Sequence, residues 1–149
     1  MIPGALTVGG QSSGANIAAG AAIALRDAGR ADIRFELLEV PALDLSHSLH
    51  RPEGEDLPLR LADVRSFTRA YLTGPSDASQ AWASPLLAPD LPGLPPTHVA
   101  VAEFDVLRVD GERYVERLRQ AGVPAQLHLG TGHVHISPSM TRLLPSARA

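Results

Sequence analysis

Apolar stretches of strand length alternate along this chain with longer segments of helical periodicity. The apolar stretches predict strands at residues 5–9, 34–40, 98–102 and 125–129. Apolar positions three and four residues apart predict helices at residues 13–28, 57–72 and 108–121, with a short final helix from Ser139. Strands that alternate with helices are typical of a parallel sheet with helical crossovers. We therefore expect one α/β domain over residues 1–149, with about four strands and a proline-rich irregular connector at 74–96.

The composition argues against several classes of protein. A net charge of −3 provides no basic surface for nucleic acid, and the absence of cysteine excludes disulfides and thiolate metal sites. No apolar run approaches the roughly 20 residues of a membrane-spanning helix, and the N-terminal residues do not have the pattern of a signal peptide. We therefore expect a cytoplasmic domain that binds neither nucleic acid nor membrane.

The most informative short motif is Gly10-Gln11-Ser12-Ser13-Gly14, between the first predicted strand and the first predicted helix. A G-x-S-x-G turn in this position is typical of the nucleophile elbow of α/β-hydrolases. Glycines are expected beside the serine because larger side chains would collide with the neighbouring strand or helix. The pentapeptide alone also occurs in unrelated loops, so its weight depends on the residues that accompany it.

Two further candidate residues follow predicted strands. Asp105 comes after the third strand and His135 after the fourth. Because parallel strands end at the same edge of a sheet, Ser12, Asp105 and His135 are expected to meet there. Their order is that of the α/β-hydrolase triad, in which histidine activates the serine and aspartate orients the histidine. The sequence therefore predicts Ser12 as a nucleophile, with the backbone N–H of Ser13 as an oxyanion donor.

Several motifs in order give the chain a resemblance to the C-terminal half of the hormone-sensitive-lipase-like esterases. The family's elbow, G-D-S-A-G-G-N-L-A, matches residues 10–18, and its acid motif, D-P-L-R-D-E-G-x-x-Y, matches residues 105–114. A serine-proline-leucine stretch at 84–86 lies between them, and the family's G-x-x-H-G-F places its catalytic histidine at His135. The resemblance covers about residues 6–135 and implies hydrolysis of small acyl esters without a cofactor.

The chain departs from the family pattern beside these motifs. Gln11 and Ser13 replace the aspartate and alanine that flank the family's serine. Ala15 replaces a glycine, and Ile136 follows the histidine where the family has glycine. These changes concern efficiency and substrate range more than the type of reaction.

The histidines leave alternatives open. His133 is the alternative base, because it precedes His135 by two residues. The same pair with His128 suggests a histidine-dependent metal hydrolase as a third hypothesis, but no clear set of further ligands accompanies it, so no metal is expected. The remaining histidines are expected at the surface or in packing contacts: His47, His50 and His98.

Four other side chains have two interpretations each. Core packing is favoured for Phe67, Tyr71 and Trp82, and the alternative is that they line an acyl pocket. Glu103 is expected to be a solvated carboxylate, and the alternative is that it supports the site.

The resemblance also exposes an absence. The family has four strands and a cap before the elbow, and an H-G-G-G loop that supplies oxyanion N–H groups. Eleven residues precede Ser12, and H-G-G-G occurs nowhere in the chain. The strand that ends at Gly9 is therefore expected at the sheet edge, where a homodimer or a partner chain would cover it. A gene fragment would explain the same absence.

The leading hypothesis is a serine carboxylesterase that acts through an acyl-Ser12 intermediate. The alternative is a non-catalytic half-hydrolase, a binding module that keeps the three residues but lacks oxyanion machinery. The two hypotheses differ in whether the replacement of Ser12 abolishes an activity.

Overall fold

Each strand pairs with the next strand along the chain, which produces a four-stranded parallel sheet. The computed structural model describes residues 6–30, 33–137, 140 and 142–148. The strands, in sheet order, are β1 (Leu6–Gln11), β2 (Ile33–Glu39), β3 (Thr97–Phe104) and β4 (Ala125–Val134). The helices are α1 (Ser13–Asp27), α2 (Leu61–Tyr71) and α3 (Arg108–Gln120). The predicted α/β class with about four parallel strands is confirmed.

The helices α1 and α3 cover the same face of the sheet. One connects β1 to β2 and the other connects β3 to β4, and right-handed crossovers between successive strands place both on one side. Ala15 and Ala19 of α1 are fully buried, so the helix approaches the sheet closely. Tyr114 and Leu118 of α3 are equally buried and complete the main core with Val99 of β3.

The opposite face of the sheet and the outer edge of β1 are open among the described residues. Phe35 and Leu37 project from β2 on that face and are 39% and 46% exposed. The sheet places only β2 beside β1, so β1 is an edge strand as predicted. In the part of the chain that the structure describes, no helix has the length and apolar character needed to cross a membrane.

Two element boundaries differ clearly from the predicted ones. The strand β4 continues to Val134 instead of ending at Leu129, and its pairing with β3 shifts register between Ala102 and Phe104. The helix α2 begins at Leu61 rather than Leu57, because a turn precedes it and the Asp63 carboxylate accepts a hydrogen bond from the Arg60 N–H. The predicted start of a final helix at Ser139 lies outside the described residues.

Arginines from the two core helices hold the proline-rich connector in place. The connector contains two short 3-10 helices, at Pro75–Ser79 and Pro85–Leu87. Arg117 of α3 donates to the carbonyls of Leu86 and Ala88, and Arg26 of α1 donates to two carbonyls further along. The guanidinium groups thus satisfy carbonyl oxygens that have no sheet or helix partner.

Candidate active site

Ser12 occupies the turn between β1 and α1 in a backbone conformation that favours glycine. Its φ is 55° and its ψ is −115°. Non-glycine residues at positive φ are uncommon and carry strain. Two backbone hydrogen bonds hold the turn, from the Ser12 N–H to the Glu39 carbonyl at 2.8 Å and from the Asn16 N–H to the Ser12 carbonyl at 3.1 Å. The turn therefore fixes where the Ser12 hydroxyl lies.

The expected steric role of the two flanking glycines holds at one of them and is wrong at the other. A Cβ at Gly10 would lie 2.3 Å from the Gly14 carbonyl carbon, so the approach of strand to helix excludes a side chain there. A Cβ at Gly14 would meet no described atom within 4 Å. Gly14 faces open space, and collision does not explain its presence.

The structure brings Ser12, His135 and Asp105 together in one hydrogen-bonded chain. His135 Nε2 lies 2.9 Å from Ser12 Oγ, and His135 Nδ1 lies 2.8 Å from Asp105 Oδ2. The imidazole is buried, and the Asp105 carboxylate has no exposed surface. A hydroxyl, an imidazole and a carboxylate in this order can transfer a proton from the hydroxyl and stabilise the resulting imidazolium.

The Asp105 carboxylate is oriented by the backbone on its other side. Asp105 follows β3 directly, and its Oδ1 accepts the Leu107 N–H at 2.9 Å. This bond leaves Oδ2 for the His135 ring. Ser13 is the first residue of α1, and the N–H groups of a first helical turn have no partner within the helix.

The His133 side chain makes its hydrogen bond to neither Ser12 nor Asp105. Its Nδ1 lies 2.9 Å from Ser137 Oγ, which also accepts the Val134 N–H. Glu103 contributes to the same loop, because its Oε2 accepts the Gly132 N–H at 2.7 Å. The expectation that Glu103 is only solvated is therefore wrong: it fixes the backbone shortly before His135.

The remaining histidines do not form a metal site with their neighbours. His98 and His128 stack on the open face of the sheet with ring centroids 6.4 Å apart. Within the described residues, no group of three or more side chains could hold a metal ion. His47 contacts Arg51, and His50 is exposed, as expected for surface and packing residues.

A largely apolar cavity of about 480 Å³ opens beside Ser12. The wall consists of the elbow with α1, the loop after β2, the helix α2 with the residue Leu59 before it, and the residues around Leu107 and His135. Phe67 and Tyr71 of α2 line it and are 66% and 48% exposed, so the favoured interpretation of core packing is wrong for both. Trp82 is also exposed, and its ring lies edge-on to Tyr71.

A buried ion pair that sequence reasoning missed positions one wall of this cavity. Arg51 bonds both carboxylate oxygens of Asp110, at 2.8 Å each. The Leu43 and Asp44 N–H groups also donate to Asp110, which fixes the loop that carries Leu45 into the cavity wall. Burial raises the pKa of Asp110, and the bonds from Arg51 oppose that shift. Asp110 lies within the acid motif at residues 105–114, and this position is the one feature of the sequence that could have indicated its role.

Asn16 also has a role that sequence reasoning does not identify. Its side-chain amide donates to the Ala42 and Ala83 carbonyls, both at 2.7 Å. These bonds connect the first turn of α1 to the loop after β2 and to the connector, so they hold the elbow against the cavity wall. The sequence feature that could have identified Asn16 is its position in the elbow motif at residues 10–18.

Comparison with known proteins finds similar sequences and similar folds. A sequence family described as alpha/beta hydrolase fold matches residues 2–138. Esterase LipI and carboxylesterase NlhH, both of Mycobacterium tuberculosis, are 38% and 35% identical over 97% of this chain and are themselves covered to 46% and 47%. A hyperthermophilic esterase from the archaeon Pyrobaculum calidifontis has a TM-score of 0.89 at 35% identity, over 95% of this chain and 47% of that one. The chain thus spans about half the length of the relatives it matches.

Proposed function

The chain belongs to the α/β-hydrolase fold family, and we propose that it is a serine carboxylesterase that hydrolyses small acyl esters through an acyl-Ser12 intermediate. The observation that carries the proposal is the hydrogen-bonded chain from Ser12 Oγ through His135 to Asp105, at 2.9 and 2.8 Å. The names of the relatives, esterase and carboxylesterase, support the same type of reaction. The apolar cavity beside Ser12 suits the hydrocarbon part of an ester.

In the proposed reaction, His135 Nε2 accepts the hydroxyl proton of Ser12 while Oγ bonds to the ester carbonyl carbon. The tetrahedral adduct collapses as the carbon–oxygen bond to the alcohol breaks, and His135 gives its proton to the departing alcohol. Water then adds to acyl-Ser12 and loses its proton to His135. Collapse releases the acid and restores the Ser12 hydroxyl. Throughout, Asp105 accepts the Nδ1–H bond and stabilises the imidazolium.

The negative charge on the adduct needs hydrogen-bond donors. The Ser13 N–H is the donor that this chain offers, because it lies in the first turn of α1, next to the nucleophile. The N-terminal end of α1 adds the favourable field of the helix dipole. The resemblance implies further donors from an H-G-G-G loop, which the sequence given does not contain.

We propose that another polypeptide segment completes the site at the outer edge of β1. That edge has unpaired backbone groups in the described sheet, and the adjoining face exposes Phe35 and Leu37. A second copy of the chain is the simplest source, because pairing across a two-fold axis covers both edges at once. Size-exclusion chromatography with light scattering tests this part: a dimer is expected, and a fully active monomer at micromolar concentration contradicts it.

Hydrolysis of a series of short p-nitrophenyl esters by wild type and Ser12→Ala tests the catalytic proposal. The variant should lose turnover by at least about a thousandfold, because the nucleophile is removed. Ser79→Ala, which removes an exposed hydroxyl on the connector, is the matched control and should keep wild-type turnover. Unchanged turnover in Ser12→Ala refutes the assignment of the nucleophile. A folded wild type without turnover favours the non-catalytic half-hydrolase.

A further inference from the structure

Thr68 is a polar residue on the apolar stripe of α2. The buried residues of that helix are Leu61, Val64 and Thr68, at the spacing of one helical face. The first two pack into a cluster with Val106 and Leu107 beneath the active site. Thr68 continues the stripe to the cavity beside Ser12 and is 7% exposed.

The Thr68 hydroxyl makes no hydrogen bond within the described structure. A threonine in a helix usually donates to the carbonyl one turn back, and Ser66 on the same helix does so with the Ala62 carbonyl at 3.0 Å. A buried hydroxyl without a partner destabilises the folded chain, because it has lost its hydrogen bonds to water. Such a group in the wall of a cavity is an observation that core packing does not explain, and a ligand that bonds to it would offset the cost.

The other buried or half-buried polar side chains that line the cavity have hydrogen-bond partners, and the hydroxyls of Ser13 and Tyr71 belong to exposed residues. Ser12 and His135 bond each other, and the Asn16 amide donates to two backbone carbonyls. Thr68 therefore differs from them in having an unsatisfied donor and acceptor. The hydroxyl oxygen is buried in the structure, so it reaches a ligand in the cavity by rotation about χ1, which exchanges the places of the hydroxyl and the methyl group and breaks no hydrogen bond within the described residues.

We propose that Thr68 is a specificity-determining residue, whose hydroxyl bonds an additional oxygen atom in the part of the ester that fills this cavity. The inference rests on the proposed esterase function and adds a substrate class to it. The preferred substrates are esters with an ether or carbonyl oxygen within an otherwise apolar chain. An oxygen acceptor placed there receives the threonine O–H, and a methylene in the same place leaves the hydroxyl unpaired.

Two pairs of isosteric esters test the proposal, each of which differs by one methylene replaced with an ether oxygen. Ethyl hexanoate with ethyl 4-methoxybutanoate places the oxygen in the acyl part, and hexyl acetate with 2-propoxyethyl acetate places it in the alcohol part. The measured quantity is the ratio of kcat/KM for ether over hydrocarbon in each pair. Comparing this ratio between enzymes cancels the intrinsic reactivity of the esters.

Thr68→Val is expected to lower the ratio about three- to tenfold in one of the pairs, because the valine is isosteric but cannot donate a hydrogen bond. Thr68→Ser should keep the ratio near that of wild type. Ser66→Ala removes a hydroxyl from the exposed side of the same helix and should leave it unchanged. The proposal is overturned if Thr68→Val leaves the ratio unchanged in both pairs, or if its midpoint of unfolding falls below that of wild type, which would indicate a structural partner for the hydroxyl.

The failure of esterase function and the failure of this inference are separable. If wild type hydrolyses none of the four esters, the proposed function fails. The affinities of the intact esters for Ser12→Ala, with and without Thr68→Val, then decide the inference by calorimetry. A preference for the ether ester that Thr68→Val removes supports the hydroxyl as a recognition group, and equal affinities or no binding refute it.

Discussion

Replacing Glu36 with glutamine is expected to make the stability of the fold less sensitive to pH. Glu36 lies at the centre of β2 on the covered face and is fully buried. Its Oε2 accepts a hydrogen bond from the Thr97 hydroxyl at 3.1 Å, but Oε1 has no partner in the described structure. The Tyr114 hydroxyl is also buried without a partner, and the charge of Glu36 adds to burial in raising the pKa of Tyr114.

Burial raises the pKa of Glu36 from 4.5 to about 7, and the bond from Thr97 only partly opposes the shift. Below the lower value the carboxyl is protonated in both the folded and the unfolded chain. Between the two values the unfolded chain loses its proton first, so the free energy of unfolding falls as the pH rises. The difference of about 2.5 pH units between the two pKa values corresponds to about 3 kcal/mol of the free energy of unfolding. The folded chain loses this contribution as the pH rises through about 7.

Glutamine has the shape of the protonated acid and does not ionise. The difference in the free energy of unfolding between Glu36→Gln and wild type should therefore shift by about 3 kcal/mol in favour of the variant between pH 4.5 and pH 8. Urea titrations at several pH values measure this difference, and taking the difference cancels the contributions of other groups. Glu39→Gln, on the opposite face of the same strand, is the matched control. Parallel pH profiles for Glu36→Gln and wild type would refute the reasoning.

Three further outcomes are expected. Because the φ of Ser12 is 55°, Ser12→Gly should be more stable than Ser12→Ala by about 1 kcal/mol in urea unfolding, and equal stabilities would argue against strain at the elbow. Asp110→Ala leaves Arg51 buried without its carboxylate and should lose about 3–5 kcal/mol, while a variant as stable as wild type would show that the pair is dispensable. Glu103→Ala removes the acceptor of the Gly132 N–H and should lower kcat several-fold with little change in KM, because the loop that carries His135 loses a hydrogen bond. An unchanged kcat would show that the loop keeps its conformation without this bond.

The strands themselves and the three proposed catalytic residues could be predicted because both depend on local patterns. A parallel strand places the residue that follows it at a known edge of the sheet, so the positions of Ser12, Asp105 and His135 follow from the ends of apolar runs. The extra length of β4 was not predictable in this way. Its last residues, from Gly130 onwards, have no alternation of apolar and polar positions, and the pairing with β3 decides their conformation.

Other features depend on contacts between distant segments. The periodicity of α2 identifies an apolar face, but it does not say whether that face meets the core or an open cavity. The pattern therefore predicts core packing for Phe67 and Tyr71, whereas both line the cavity. Arg51 and Asp110 are 59 residues apart, and each resembles a surface charge in its own segment. Gly14 looked like a steric requirement because the motif contains it, although the space beside it is empty.

The spacing of the active site along the chain has a consequence during protein synthesis. Strands that are neighbours in the sheet are also consecutive in the chain, so β1 with its elbow can pair with β2 while the ribosome is still translating the rest. The partner of the Ser12 hydroxyl, the His135 imidazole, lies 123 residues later. The Ser12 hydroxyl of a nascent chain therefore has no His135 imidazole beside it until β4 has docked beside β3. The proposed catalytic group would thus be assembled only after all four described strands have come together.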